Sequence, residues 1–137
     1  MRVLVAVASR HGSTQEIAEH IGMTLRAMGL DVDVRDAGTV QSAAPYDGVV
    51  LGSAVYLGRW LPSARALVER LGTERADVPV WLFSSGPLGD PPVPGDVPAG
   101  HREAVALLAP RGERVFAGRL DPRALTLPER LVARAVH

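Results

Sequence analysis

Residues 3–14 read Val3-Leu4-Val5-Ala6-Val7-Ala8 and then Ser9-Arg10-His11-Gly12-Ser13-Thr14, and this junction decides the fold. The first six residues form an unbroken apolar run rich in β-branched side chains. A strand with one wet face alternates apolar and polar residues. A strand without alternation is covered on both faces, as in a parallel sheet. The polar turn that follows leads into Ile17, Ala18, Ile21, Leu25 and Met28 at helical spacing, with Gly29 as the expected stop. Buried strand, tight polar turn and helix together open a β-α-β unit.

The same alternation continues along the chain. Leu30–Arg35 alternates apolar and acidic residues, which suits a second strand with one exposed face. Asp36–Asp47 is a loop or short helix limited by Pro45. Gly48–Gly52 is a third, buried strand, and Ser53–Trp60 is the loop after it. Ala64, Leu67, Val68 and Leu71 make a helical stripe closed by Gly72. Val78–Phe83 is a fourth strand with Pro79 near its start. Ser84–Pro98 is dense in Gly and Pro and reads as irregular. A helix from Pro98 to Ala109 with Val105 and Leu108 on its buried side, a fifth strand at Glu113–Ala117 and a helical stretch at Arg123–Val136 complete the pattern. It predicts one domain over residues 1–137: a three-layer, doubly wound α/β fold around a five-stranded parallel sheet of order 2-1-3-4-5.

Composition excludes several function classes. A chain of 137 residues suits one domain. With 47% hydrophobic and 22% charged residues it is not a disordered chain. Fifteen basic residues balance fifteen acidic ones, which argues against a nucleic-acid partner. Cysteine is absent, which removes disulfides, thiolate metal sites and thiol nucleophiles. Every basic residue is Arg, so neither a Schiff-base lysine nor a Walker lysine exists. No apolar run reaches the ~20 residues of a membrane span, and the cytoplasm is the expected location. His11, His20, His101 and His137 lack metal-ligand spacing, so no metal is expected; His20 and His101 are expected on helix surfaces. A G-x-S-x-G elbow is missing, as is the acid, aspartate and lysine set of a receiver domain, whose places hold Ser9 and Arg10, Ser53 and Arg119.

In a doubly wound sheet, ligands bind beyond the carboxyl ends of the strands where the strand order reverses. The loops to read are therefore Ser9–Thr14, Ser53–Trp60 and Ser84–Asp90. In the first, free N–H groups at a helix start, the hydroxyls of Ser9, Ser13 and Thr14, and a Gly12 turn suit a phosphate monoester. The same Ser13 and Thr14 hydroxyls also suit a helix cap. His11 suits either phosphate or solvent. In the second loop, Tyr56 is placed to stack on a flat ring, while Trp60 is expected to pack against the next helix. Gly58 suits a peptide flip toward a ligand. The third loop offers backbone donors and acceptors for a heterocycle's polar edge.

The segments "VLVAVASRHGSTQEIAEHIGMTLRAMGLDVDV", "YDGVVLGSAVYLGRW", "VWLFSSGPLG" and "RVFAGRLD" resemble the flavodoxin-domain family over about Met1 to Val136. The nearest branch is that of menaquinone-dependent protoporphyrinogen oxidase and its actinobacterial relatives. The resemblance implies a flavodoxin-like fold and FMN as cofactor. Carried over by position, Ser9, Arg10, His11, Gly12, Ser13 and Thr14 hold the ribityl phosphate. Ser53, Ala54, Val55, Tyr56, Leu57 and Gly58, with Ser84, Ser85, Gly86, Pro87, Leu88 and Gly89, flank the isoalloxazine. Tyr56 stacks on the ring, and an amide beside Leu57 or Gly58 faces flavin N5.

What the resemblance implies about function is electron transfer with a redox partner protein, or quinone-linked protoporphyrinogen oxidation as an FMN-dependent oxidoreductase; no residue is assigned to catalysis. The alternative is a degenerate domain that has lost flavin and only mediates interaction or dimerisation. The C-terminal helical segment is short for the family, and the sheet surface it leaves open points to a homodimer. Leu127, Leu131 and Ala135 form one stripe beside Arg123, Arg130 and Arg134. An ordinary helix packed on the sheet is the preferred reading, with peripheral membrane contact as the other.

Overall fold

The structure, a computed structural model, describes residues 1–9, 13–56, 59–74, 77–85 and 99–116. In chain order its elements are β1 (Arg2–Ala8), α1 (Ser13–Ala27), β2 (Asp31–Asp36), a 3-10 turn (Ala37–Thr39), β3 (Gly48–Tyr56), β4 (Arg59–Trp60), α2 (Pro62–Glu74), β5 (Val80–Ser85), α3 (Ala99–Leu108) and β6 (Gly112–Phe116). Five strands pair in parallel in the order β2-β1-β3-β5-β6, and the two-residue β4 pairs antiparallel with β3. With β4 set aside, this is the expected 2-1-3-4-5 sheet.

The unbroken apolar reading of β1 is right: Val3 to Ala8 are all buried. Alternate residues face opposite sides of the sheet. Val3, Val5, Val7, Val50, Trp81 and Phe83 pack with Ile17, Ala18, Ile21 and Leu25 of α1. Leu4, Ala6, Ala8, Leu51, Val55 and Leu82 pack on the other face, with Ala64, Leu67, Val68 and Leu71 of α2 and Ala104 of α3. A helix layer on each face gives the three-layer architecture.

Several element limits differ from the sequence reading, each for a physical reason. Met28 does not continue the buried stripe of α1; it is exposed, as the residue that closes the helix. Gly29 then takes φ +92°, and its N–H and that of Leu30 reach back to the carbonyls of Arg26 and Leu25. α2 runs past Gly72 to Glu74. β5 starts at Val80 rather than Val78, because Pro79 has no N–H to give to a ladder. β5 also runs on past Phe83 through Ser84 and Ser85. Ser53–Tyr56 and Arg59–Trp60 are likewise not loop: β3 continues through Tyr56, and β4 pairs back on it, Val55 with Trp60 and Tyr56 with Arg59.

Two contacts tie the sheet together. The Phe83 ring lies across Gly52 on the neighbouring strand, so close that a Cβ there would sit 2.0 Å from the ring. At the edge of the sheet, Asp33 of β2 accepts from Arg2 Nη2 at 3.0 Å and from the Tyr46 hydroxyl at 2.8 Å. The Arg2 guanidinium also sits 5.1 Å from the Tyr46 ring centroid. The Tyr46 hydrogen bond holds the Asp33 carboxyl below the usual carboxylate range; burial opposes it, and the hydrogen bond and charge of Arg2 add smaller lowering effects.

Gly52→Ala is expected to lower stability by about 1–3 kcal/mol through overpacking. Phe83→Leu should cost less in that background than in the wild type, measured by urea unfolding of the four proteins of the double-mutant cycle; additive costs would show that the ring does not press on Gly52. Because the Asp33 carboxyl titrates lower in the folded protein, its stabilisation is present at neutral pH and lost as pH falls through the carboxylate range. Asp33→Asn is expected to cost less than about 1 kcal/mol at neutral pH, as befits a partly exposed pair. The difference should shrink as pH falls below the ordinary aspartate range; a constant gap across the titration would remove Asp33 from the acid limb.

Candidate functional site

The sheet reverses direction beside β1: β2 lies on one side and β3 on the other. At the carboxyl edge the register runs Ala8 beside Ser53 beside Ser84, and one step further Ala54 beside Ser85 beside Phe116. Across β1, β3 and β5 the rim is thus built from small residues, and the exits of these three strands stand next to one another. α1 begins at Ser13, so its unpaired N–H groups and positive dipole end lie at the same edge. Thr14, in the first turn, is buried at 2% exposure. Ser9 is partly buried at the end of β1.

The serines divide into two groups by the face they occupy. Ser53 and Ser84 belong to the α2 and α3 side and are fully buried. Ser53 Oγ donates to the Ala54 carbonyl at 2.8 Å and accepts from Leu61 N–H at 3.0 Å. Ser84 Oγ accepts from Trp60 Nε1 at 2.6 Å and lies 2.7 Å from His101 Nδ1. These two hydroxyls are occupied inside the protein. Ser85, one residue on, belongs to the α1 side; its Oγ is buried and has no hydrogen-bond partner. An orphaned buried hydroxyl costs about 1–3 kcal/mol, so it is a natural place for a ligand atom. Small rim residues, a helix N-terminus and this orphan together fit a flat mononucleotide.

His101 is the main correction to the sequence reading. It was expected on a helix surface and is instead fully buried, edge-on to the Trp60 indole with ring centroids 5.7 Å apart. A signal was present: His101, Ala104, Val105 and Leu108 fall at i, i+3, i+4 and i+7, the buried stripe of α3. Burial pushes the His101 imidazole below its usual range, and nearby Glu113 partly opposes this. Glu113 Oε1 is 3.7 Å from His101 Nε2, which otherwise has no hydrogen-bond partner. Although a serine, a histidine and an acid stand in line here, Ser84 has no solvent access and is no hydrolase nucleophile. His20 is partly buried on α1. Trp60 packs in the core as expected, at 2% exposure.

Of the other expected site residues, Ser13 opens α1, and Ala54, Val55 and Tyr56 form the end of β3. Arg10, His11, Gly12, Leu57, Gly58, Gly86, Pro87, Leu88 and Gly89 lie outside the described residues, as do the side chains of Ser13 and Tyr56 and the whole of residues 117–137. Among the described residues no cluster of His, Asp and Glu could hold a metal ion, and no helix is long and apolar enough to cross a membrane. A groove of about 400 Å³ between α2 and α3, lined by Arg65, Val68, Glu69, Glu103, Ala106 and Leu107, holds an exposed ion pair and no convergent polar groups.

The family model of the flavodoxin domain matches residues 4–137. Protoporphyrinogen IX dehydrogenase (quinone) of Escherichia coli strain K12 is 26% identical over 86 residues, 61% of this chain and 48% of that protein. The same enzyme of Escherichia coli O157:H7 matches with the same figures, so the chain spans about half the length of these curated relatives. Among solved structures, a flavodoxin from the domain Archaea superposes with a TM-score of 0.77 at 20% identity, both chains being covered in full. Flavodoxin 2 from Bacillus cereus gives 0.73 at 21% identity, with 99% of each chain covered. The Flv1 flavodiiron core of Synechocystis sp. PCC6803 gives 0.77 at 16% identity, covering 99% of this chain and 36% of that one. At such identities the structural likeness concerns the fold, but the family match runs almost the full length: the chain belongs to the flavodoxin domain family.

Proposed function

We propose that this single domain binds FMN in the crevice between β1 and β3 and works as an electron-transfer protein. The observation that carries the reading is the alignment of Ala8, Ser53 with Ala54, and Ser84 with Ser85 on one edge, beside the start of α1. In this reading Ser9 to Thr14 hold the phosphate, through hydroxyls and the N–H groups of the first turn. Residues 53–58 and 84–89 flank the ring, with Tyr56 against its face and an amide beside Leu57 or Gly58 toward N5. When bound, FMN supplies the ability to accept and release electrons; the chain supplies its binding, orientation and shielding from water.

The roles of the serines follow from their partners. Ser53 and Ser84 hold the residues behind the crevice and do not face the cofactor. Ser85, with its orphaned hydroxyl, is the one of the three free to donate to it. Arg59 is exposed beside Tyr56; a cation near the ring favours an anionic reduced flavin and raises its potential.

The identity to the quinone-linked dehydrogenase favours a more specific second reading: oxidation of protoporphyrinogen with transfer of electrons to a quinone, in the cytoplasm, by a member of the actinobacterial branch acting as a homodimer. Oxidation of protoporphyrinogen IX in the presence of a menaquinone analogue, with FMN bound, would support it. Reduction by a ferredoxin or flavodoxin reductase without that activity would favour the carrier.

Titration of the flavin-free protein with FMN, followed by flavin absorbance, is expected to show saturable binding at one site per chain. Thr14→Ala should weaken it by about 10- to 100-fold, the size of a hydrogen bond to a charged group, whereas Thr14→Ser should bind nearly as the parent. An unchanged flavin spectrum at saturating FMN would leave only the interaction-module reading.

A further inference from the structure

Consecutive residues at the base of the β3–β4 hairpin are gripped by two serines that share one rung of the sheet. Ser53 takes the Leu61 N–H and Ser84 takes the Trp60 indole N–H. The second grip depends on a third residue. The indole N–H is a donor only, so Ser84 Oγ accepts from Trp60 and has one proton of its own to give. On the far side of the imidazole, Nε2 faces the Glu113 carboxylate, which accepts only. The neutral imidazole therefore carries its proton on Nε2 and leaves Nδ1 to accept from Ser84. The chain of donors runs one way, from Trp60 to Ser84 to His101, and on toward Glu113.

We propose that His101 is a positioning residue for the crevice at the carboxyl edge: its neutral Nδ1 orients the Ser84 hydroxyl, Ser84 holds the Trp60 indole, and Trp60 fixes the β3–β4 hairpin beside the flavin. The proposal rests on the FMN reading of the crevice. Protonation of Nδ1 removes the acceptor. Two donors, Trp60 Nε1 and His101 Nδ1, then converge on one oxygen, and the Ser84 proton must find another acceptor.

The surroundings make this a titratable grip. Glu113 on β6 is the acid nearest to the imidazole, and its side chain is 47% exposed. On α2, Arg65 and Glu69 line the outer groove, with Arg65 3.9 Å from Glu103. Arg59 on β4 is exposed, as are Arg102 and Glu103 on α3 itself, and β5 carries no charged residue. Burial keeps the imidazole neutral at neutral pH. Because the folded protein disfavours the protonated form, the grip is complete above the usual histidine range and weakens as pH falls below it.

The test uses FMN titrations between pH 7.5 and 5 on the wild type, His101→Asn and Trp60→Phe. It is paired with the NMR resonance of the Trp60 indole N–H in the flavin-free proteins. Asn offers an acceptor oxygen near the position of Nδ1 but does not titrate. For the wild type, affinity for FMN should fall more steeply over this range than for His101→Asn, by about twofold or more at the acid end, a ratio that cancels the phosphate's own titration. Trp60→Phe should bind at least about tenfold more weakly than the wild type at pH 7.5. Ser84→Ala replaces it if that variant does not fold by circular dichroism. The indole resonance should move with pH in the wild type and stay fixed in His101→Asn. Equal pH dependence in wild type and His101→Asn, or wild-type affinity in Trp60→Phe or Ser84→Ala, overturns the proposal. If no protein binds FMN, the flavin reading fails, and the indole resonance alone then judges the grip: movement only in the wild type supports it, and a fixed resonance overturns it.

Discussion

β1 has no face to give to solvent. Val3 to Ala8 are buried on both sides, and the described strands and helices are arranged around that constraint. Burying such a strand needs a neighbour on each edge and a helix on each face, which β2, β3, α1 and the α2–α3 pair provide. With partners on both edges, the chain must turn one way to form β2 and the other to form β3. The reversal leaves a crevice at the carboxyl end of β1 that no crossover fills. The binding site of this fold is thus a consequence of how its central strand is covered.

Packing at that edge sets what the crevice can hold. Gly52 has no side chain because the Phe83 ring occupies the space, and Ala8, Ser53, Ala54, Ser84 and Ser85 keep the rim low. Hydroxyls are used economically. On the α2 and α3 side, Ser53 takes a backbone N–H and Ser84 an indole N–H where the hairpin leaves the sheet. On the α1 side, Ser85 is buried with its hydrogen-bonding capacity unspent. The alternation of a strand therefore separates adjacent residues: Ser84 braces the hairpin, and Ser85 lies on the α1 side with its hydroxyl unpartnered.

Much of this was legible in the sequence, and the failures share a cause. β1, α1 and the stripe of α2 declare themselves by local periodicity, since each is a regular pattern within one element. The sheet order follows from the alternation of elements. The β3–β4 hairpin was missed because Ser53 interrupts an apolar run and looks like a loop residue; its burial depends on Leu61, eight residues away. The signal lay in Val55, Tyr56 and Trp60, residue types that favour strands. His101 was misplaced for the same reason. A histidine on a helix reads as a surface residue until its partner is known, and Ser84 is seventeen positions distant. Interactions between elements, not patterns within them, were invisible to local reading.

FMN is proposed to enter at the carboxyl edge between β1 and β3. The most direct measurement is a map of amide chemical shifts as FMN is added to the flavin-free protein. The largest changes are expected on Ser9, Ser13, Thr14, Ala54, Tyr56 and Ser85, with little effect on Arg65, Glu69 and Leu107 at the α2–α3 groove. Changes centred on that groove, or none at all, would contradict it.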